Sequence, residues 1–189
     1  MGFLARGAPG VTVRPVRVVP PDPAWAGRFA AEASRIRKAL ADVDVAVHHI
    51  GSTAIRGIVA KPIVDLLLEV RGLAALDART AAMTALGYEA MGEFGLPGRR
   101  YFRRNSPEGV RLFHAHAFER GSAEARRHLA FRDYMNAHPV AAQDYGALKQ
   151  RLAREFADDM QAYIDGKDAF VKTHEALALA WWPGPGAGG

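Results

Sequence analysis

The chain has 189 residues, 49% of them hydrophobic and 24% charged, which fits one globular domain with an ordinary core. It contains no cysteine, so a disulfide framework and a thiolate metal site are both excluded. Its net charge of +5 favours anionic ligands but is too small an excess to argue for nucleic acid. The apolar runs are too short to span a bilayer, and Met1–Arg6 lacks the apolar core of a signal peptide, so the expectation is a soluble cytoplasmic protein.

The first ten residues, with glycine and proline and no periodicity, read as a flexible leader. Val11 to Val19 alternates valines with Arg14 and Arg17 and predicts a strand, with Pro15 placing it at a sheet edge. Asp22-Pro23 predicts a helix start, Asp22 as the cap and Pro23 as the first helical residue. Trp25, Phe29, Ala33, Ile36 and Leu40 form one apolar stripe of that helix; Arg28, Glu32, Arg35 and Lys38 form its solvated face. Val45–Ile50 and Ile63–Val70 predict strands, Leu73–Leu86 a helix stopped by Gly87, and Tyr88–Met91 a short strand. Tyr101–Arg104 and Val110–Phe118 predict a hairpin whose second arm puts His114 and His116 on one face, about 6–7 Å apart.

Ser122 caps a helix running to Ala137, and His138-Pro139 ends it. A long helix follows, carrying Tyr145, Leu148, Leu152, Phe156, Met160 and Tyr163 at steps of three and four. Gly166 is expected to interrupt it before a last helix from Asp168 to Trp182. The expected fold class is α+β: a mixed β-sheet with helices packed against it, closed by a C-terminal helical segment. The expected organisation is an α/β core over 11–120, a helical segment of the same domain over 121–182, and flexible tails at 1–10 and 183–189.

The chemistry concentrates between His49 and Asp65. Gly51-Ser52-Thr53 breaks a strand with small hydroxyl-bearing residues, and backbone N–H groups in such a turn can grip phosphate. Thirteen positions after Ser52, Asp65 interrupts the run Ile63-Val64-Asp65-Leu66-Leu67-Leu68. A carboxylate there needs a cation, a metal or a hydrogen-bond network, or else an exposed strand face. Glu69 shares its face but lies about 13 Å along the strand, too far to chelate the same ion. His114 and His116 can converge on one ion or one phosphate; alternatively they are half-buried histidines bonded to backbone.

The linked strings His49-Ile50-Gly51-Ser52-Thr53-Ala54-Ile55-Arg56-Gly57, Lys61-Pro62-Ile63-Val64-Asp65, His114-Ala115-His116 and Phe131-Arg132-Asp133-Tyr134-Met135 resemble the GrpB-like family. That family is a branch of the nucleotidyltransferase superfamily with a polymerase-beta-type palm, and the resemblance covers about Arg14 to Asp168. It implies a nucleotidyltransferase-like fold and, as enzyme, metal-assisted transfer of a nucleotidyl group from a nucleoside triphosphate to a small acceptor. Asp65 and Lys61 would be catalytic, Gly51, Ser52 and Thr53 would hold phosphates, and Asp65, His114 and His116 would hold Mg²⁺ or Mn²⁺. Position 67, where the wider superfamily has a second carboxylate, is Leu67. The alternative is a non-catalytic nucleotide- or anion-binding module, like the GrpB-like domains fused to dephospho-coenzyme A kinase. Arg99, Arg100, Arg103 and Arg104 flank Tyr101 and Phe102 and read first as a basic hairpin edge, with one arginine kept as a substrate contact.

Overall fold

The computed structural model describes residues 15–184. Five strands form one mixed sheet: β1 (Val45–Ile50), β2 (Val64–Val70), β3 (Tyr88–Ala90), β4 (Arg100–Asn105) and β5 (Arg111–Glu119), in the spatial order β1-β2-β5-β4-β3. β2 pairs antiparallel with β1 and parallel with β5, and β5-β4-β3 continue antiparallel. The interior strand β2 is buried on both faces, which explains its unbroken leucines.

One face packs against α1 (Ala24–Ala39), α2 (Leu73–Asp77) and α3 (Thr80–Ala85). Trp25, Ala33, Ile36 and Leu40 meet Leu66, Leu68, Phe113, Ala115 and Ala117 there, so the stripe read along α1 is the buried one. The Asp22 carboxylate accepts from the Ala24 N–H at 2.9 Å and satisfies one otherwise free donor of the first turn. Glu32 departs from its expected place on the solvated face. It is 3% exposed and accepts from Arg104 Nη1 on both oxygens at 2.8 Å and from Arg35 Nη1 at 2.9 Å. Its i+3 neighbour and a cross-sheet arginine supply the charge that lets an acid sit there.

The other face is covered by α4 (Ala123–Ala137) and α6 (Met160–Trp181), with α5 (Pro139–Glu155) running between them in sequence. Ile50, Leu67 and Phe118 meet Leu129, Ala130, Ala178 and Trp182. Ser122 Oγ accepts from the Ala125 N–H at 3.3 Å, as its capping role requires.

Three boundaries differ from the expectations. Leu73–Leu86 divides into α2 and α3, because Arg79 turns its N–H to the Leu76 carbonyl at 2.9 Å and its guanidinium to Asp42. The break between the last two helices lies ahead of Met160 rather than at Gly166. Asp159 caps α6 by accepting from the Ala162 N–H at 2.9 Å. Gly166 lies inside α6, where a Cβ would stand 2.6 Å from Leu152 Cδ2, so this glycine serves helix approach and not a helix end. Near the start, Val19 makes an isolated bridge with Ala60, and Val16 N–H donates to the Ala157 carbonyl at 2.7 Å, in place of a strand. Val11–Arg14, the first ten residues and Pro185–Gly189 lie outside the described residues. No helix among those described is long and apolar enough to cross a membrane.

Candidate functional site

The register brings Asp65 beside Ile50 on one side and His114 on the other, with His116 beside Leu67. Cross-strand partners share a face, so Asp65, His114 and His116 converge on the face covered by the C-terminal helices. His114 Nδ1 lies 3.0 Å from Asp65 Oδ1, and one ligand atom from each of the three residues falls within 4.8 Å of the others. Glu69 shares the face but is engaged elsewhere, with His48 Nε2 at 2.9 Å and the Gly121 N–H at 3.1 Å. His49 points to the opposite face, stacked on Phe29 at 4.8 Å.

The chain leaves β1 at Gly51 with φ +71°, and a Cβ there would collide with the Asp65 carboxylate. Glycine is therefore required twice over, by the left-handed backbone and by the carboxylate lying against its Cα. Ser52 follows in a short 3₁₀ turn and lines the same cavity as Asp65. Thr53 does not: its hydroxyl lies 2.9 Å from His49 Nε2, and its side chain faces a separate cavity beside α1.

Burial alone would raise the Asp65 pKa. The hydrogen bond with His114 and the charges of His114, His116 and Lys61 outweigh it and hold the carboxyl below its usual range. Burial pushes His116 down to about 4, so its imidazole is neutral at physiological pH. His116 Nδ1 is buried and has no hydrogen-bond partner among the described residues. An orphaned imidazole nitrogen beside an ionised carboxylate and a second imidazole fits a divalent ion. Two imidazoles and one carboxylate suit Mn²⁺, Zn²⁺ or Fe²⁺ better than Mg²⁺, which prefers oxygen ligands. Tyr101 packs against both histidines at ring distances of 5.6 and 5.1 Å, and His128 backs His116 at 5.7 Å.

A cavity of about 250 Å³ opens in front of Asp65. Its sheet side consists of Gly51, Ser52, Lys61, Ile63, Asp65 and His114; its helical side is Phe131, Tyr145, Lys149, Tyr163 and Lys167. Lys61 donates to Met160 Sδ at 3.6 Å, and burial holds its amine below the usual lysine range. Lys167 belongs to no motif, whereas Lys149 ends the string Tyr145-Gly146-Ala147-Leu148-Lys149, which resembles the family's helical segment without marking a role for the lysine. Tyr145 and Tyr163 read as core stripe, yet Lys149 lies one turn from Tyr145 on that same stripe, and a lysine on an apolar face is the signal that could have found it.

The hairpin arginines are engaged. Arg100 pairs with Asp77, Arg103 with Glu89 and Arg104 with Glu32, while Arg99 donates to the carbonyls of Glu93 and Phe94. Trp182 packs the end of α6 and donates to Asp133 at 2.9 Å; Trp181 is 43% exposed.

Fold and site together define an α+β protein that carries a carboxylate–histidine cluster on its central strands, under a helical cover. The chain belongs to the GrpB family: the family described as "GrpB protein" matches residues 15–176. It is 41% identical to the UPF0157 protein YqkA of Bacillus subtilis (strain 168) over 90% of this chain and 49% of that protein, so it spans about half the length of that relative. The crystal structure of the conserved protein GrpB from Enterococcus faecalis superposes with a TM-score of 0.81 at 40% identity, covering 87% of this chain and 98% of that one. A more distant similarity, 28% identity over 88% of this chain, is to 46% of the dephospho-CoA kinase of Mycolicibacterium paratuberculosis (strain ATCC BAA-968 / K-10).

Proposed function

We propose that this protein binds a nucleoside triphosphate beside a divalent ion and transfers its nucleotidyl group to a small acceptor. The observation that carries the reading is the Asp65–His114–His116 donor set, within 4.8 Å, two members of which, Asp65 and His114, line a cavity together with Lys61. Asp65 and the two histidines hold the ion. An ion so held supplies Lewis-acid stabilisation to a phosphoryl oxygen. Gly51 keeps the turn close to the Asp65 carboxylate, and the Ser52 hydroxyl serves as a donor to phosphate. Lys61 neutralises the charge that develops on the transferred group.

The test is a titration of the purified protein with Mn²⁺, Zn²⁺ and Mg²⁺, followed by nucleotides and candidate acceptors, with pyrophosphate release as the readout. The expected order of affinity puts Mg²⁺ last. A wild-type protein that binds nucleotide without metal and releases no pyrophosphate would favour a second reading, a binding module without catalysis. Leu67 favours that reading specifically. It occupies the position of a second metal-binding carboxylate and is fully buried against Ile50 and Phe118, so the sheet has filled that place with core. The similarity to one part of a dephospho-CoA kinase accords with such a module serving a phosphate-handling partner.

A further inference from the structure

The helical side of the cavity is cationic beyond what metal binding needs. Lys149 is 1% exposed; its ammonium donates to the Val59 carbonyl at 2.5 Å and lies 4.4 Å from the centre of the Tyr145 ring. Lys167 and Lys61 approach the Tyr163 ring at 4.6 and 5.6 Å. None of the three forms an ion pair with a carboxylate among the described residues. Aromatic faces and a single carbonyl return part of the cost of burying an ammonium, not all of it. Burial, with the charge of Lys61, pushes Lys167 down to about 8, and burial pushes Lys149 down to about 7. A cluster built at such a cost, and lining a cavity, is one that an anion would stabilise.

The cavity sets the size of that anion. About 250 Å³ is below the range of about 300–1,000 Å³ usual for whole small-molecule ligands. It has room for a compact polyanion, and the remainder of a larger ligand would lie outside. The three ammoniums come from three separate places, the β1–β2 connection, α5 and α6. Linked phosphates present more charge and more oxygens to amines on three elements than a single phosphate does.

We infer that Lys61, Lys149 and Lys167 form a subsite for two or more linked phosphates, such as pyrophosphate or the terminal phosphates of a nucleoside di- or triphosphate. The inference rests on the reading that this cavity takes a phosphorylated ligand, and it adds that the linked phosphates are held by these lysines, two from the helical cover and one from the β1–β2 connection, without help from a metal.

The experiment is calorimetric titration of the full chain in EDTA with orthophosphate, pyrophosphate and tripolyphosphate. Pyrophosphate should bind at least ten-fold tighter than orthophosphate. Lys149→Met and Lys167→Gln should each weaken it ten-fold or more, and Lys172→Gln, at an exposed position paired with Asp168, should leave it unchanged. Circular dichroism checks each variant; if Lys149→Met does not fold, the partly exposed Lys167 decides the matter through Lys167→Gln. Equal affinity for orthophosphate and pyrophosphate would overturn the subsite, as would wild-type affinity in a folded Lys167→Gln. The metal is varied separately. A wild-type protein that binds pyrophosphate in EDTA but takes up no Mn²⁺ would sink the metal-assisted reading and leave the lysine subsite standing.

Discussion

Two polar clusters lie on opposite faces of the sheet, and they differ in how far their charges are matched. Under α1, Glu32 faces Arg104 and Arg35, and the Arg104 guanidinium also lies 4.7 Å over the Phe113 ring. That carboxylate has a cation on each side. Under the C-terminal helices, Asp65 shares a hydrogen bond with His114, while His116 Nδ1 is unpartnered among the described residues and three lysines line the cavity beyond. The first cluster is closed and belongs to the fold. The second is open, with donors and charges held at a cost that folding alone does not recover. Buried charge that is matched belongs here to the architecture, and buried charge left unmatched beside a cavity points to a candidate site.

The sharpest way to break this comparison is to unbalance the closed cluster. Glu32→Ala leaves Arg104 partly buried without its acid and should destabilise the protein by about 3–5 kcal/mol. Urea denaturation followed by circular dichroism measures it; a loss under about 1 kcal/mol would mean that Glu32 contributes no more than a surface pair.

The open cluster should give itself away through pH. The Lys149 pKa of about 7 in the folded protein lies below its ordinary value of about 10.4 when unfolded. Between those values the unfolded chain binds more protons than the folded one, so stability rises with pH across that window and falls as pH drops towards 7. The slope approaches about 1.4 kcal/mol per pH unit at most. Lys167, pushed down to about 8, acts in the same direction. Unfolding measured from pH 7 to 9.5 should show the rise, and Lys149→Met should flatten most of it. A wild-type curve already flat over that interval would mean the amine is not held neutral.

How much of this could be read along the chain depends on what a pattern reports. Periodicity tells which side of an element is buried, and it placed β1 at Val45–Ile50 and the Trp25–Leu40 stripe of α1 correctly. It does not tell what an element is buried against. The stripe from Tyr145 to Tyr163 continues across the break between α5 and α6, because both helices pack on shared core, so the turn at Asp159 is invisible to it. Glu32 follows the spacing of solvated residues, and its burial depends on Arg104, 72 positions away on another element. The sheet side of the site was legible, since Gly51, Asp65, His114 and His116 stand out against their own strands. Lys61 was legible too, and Lys149 left a trace as a lysine on an apolar stripe, but Lys167 left none, because the ring and charge contacts that make it unusual come from the tertiary fold.

A test within the open cluster separates the proposed metal binding from the scaffold. Asp65→Asn preserves shape and removes charge, so it should lower Mn²⁺ affinity at least 100-fold, about 2.7 kcal/mol, in a protein that circular dichroism shows to be folded, with a lower unfolding midpoint because the ionised carboxylate is favoured by its neighbours. Wild-type affinity in that variant would take the carboxylate out of any metal site.

The smallest expected effect belongs to Ser52. Its hydroxyl lines the cavity at the end of β1, next to the glycine that lies against Asp65. Here the phenol of Tyr145 is pushed up by burial, with Ser52 opposing that shift through a hydrogen bond, so the hydroxyl already has a partner in the free protein. Binding phosphate therefore exchanges one neutral hydrogen bond for a charge-assisted one instead of forming a bond from nothing. The gain should be about 1 kcal/mol, and Ser52→Ala should weaken nucleoside triphosphate binding about five-fold without touching the pyrophosphate selectivity that we assign to the lysines. A loss of 100-fold would mean that the turn, and not the helical cover, is the principal phosphate grip. Identical titration curves for wild type and Ser52→Ala would place the ligand wholly on the helical side of the cavity.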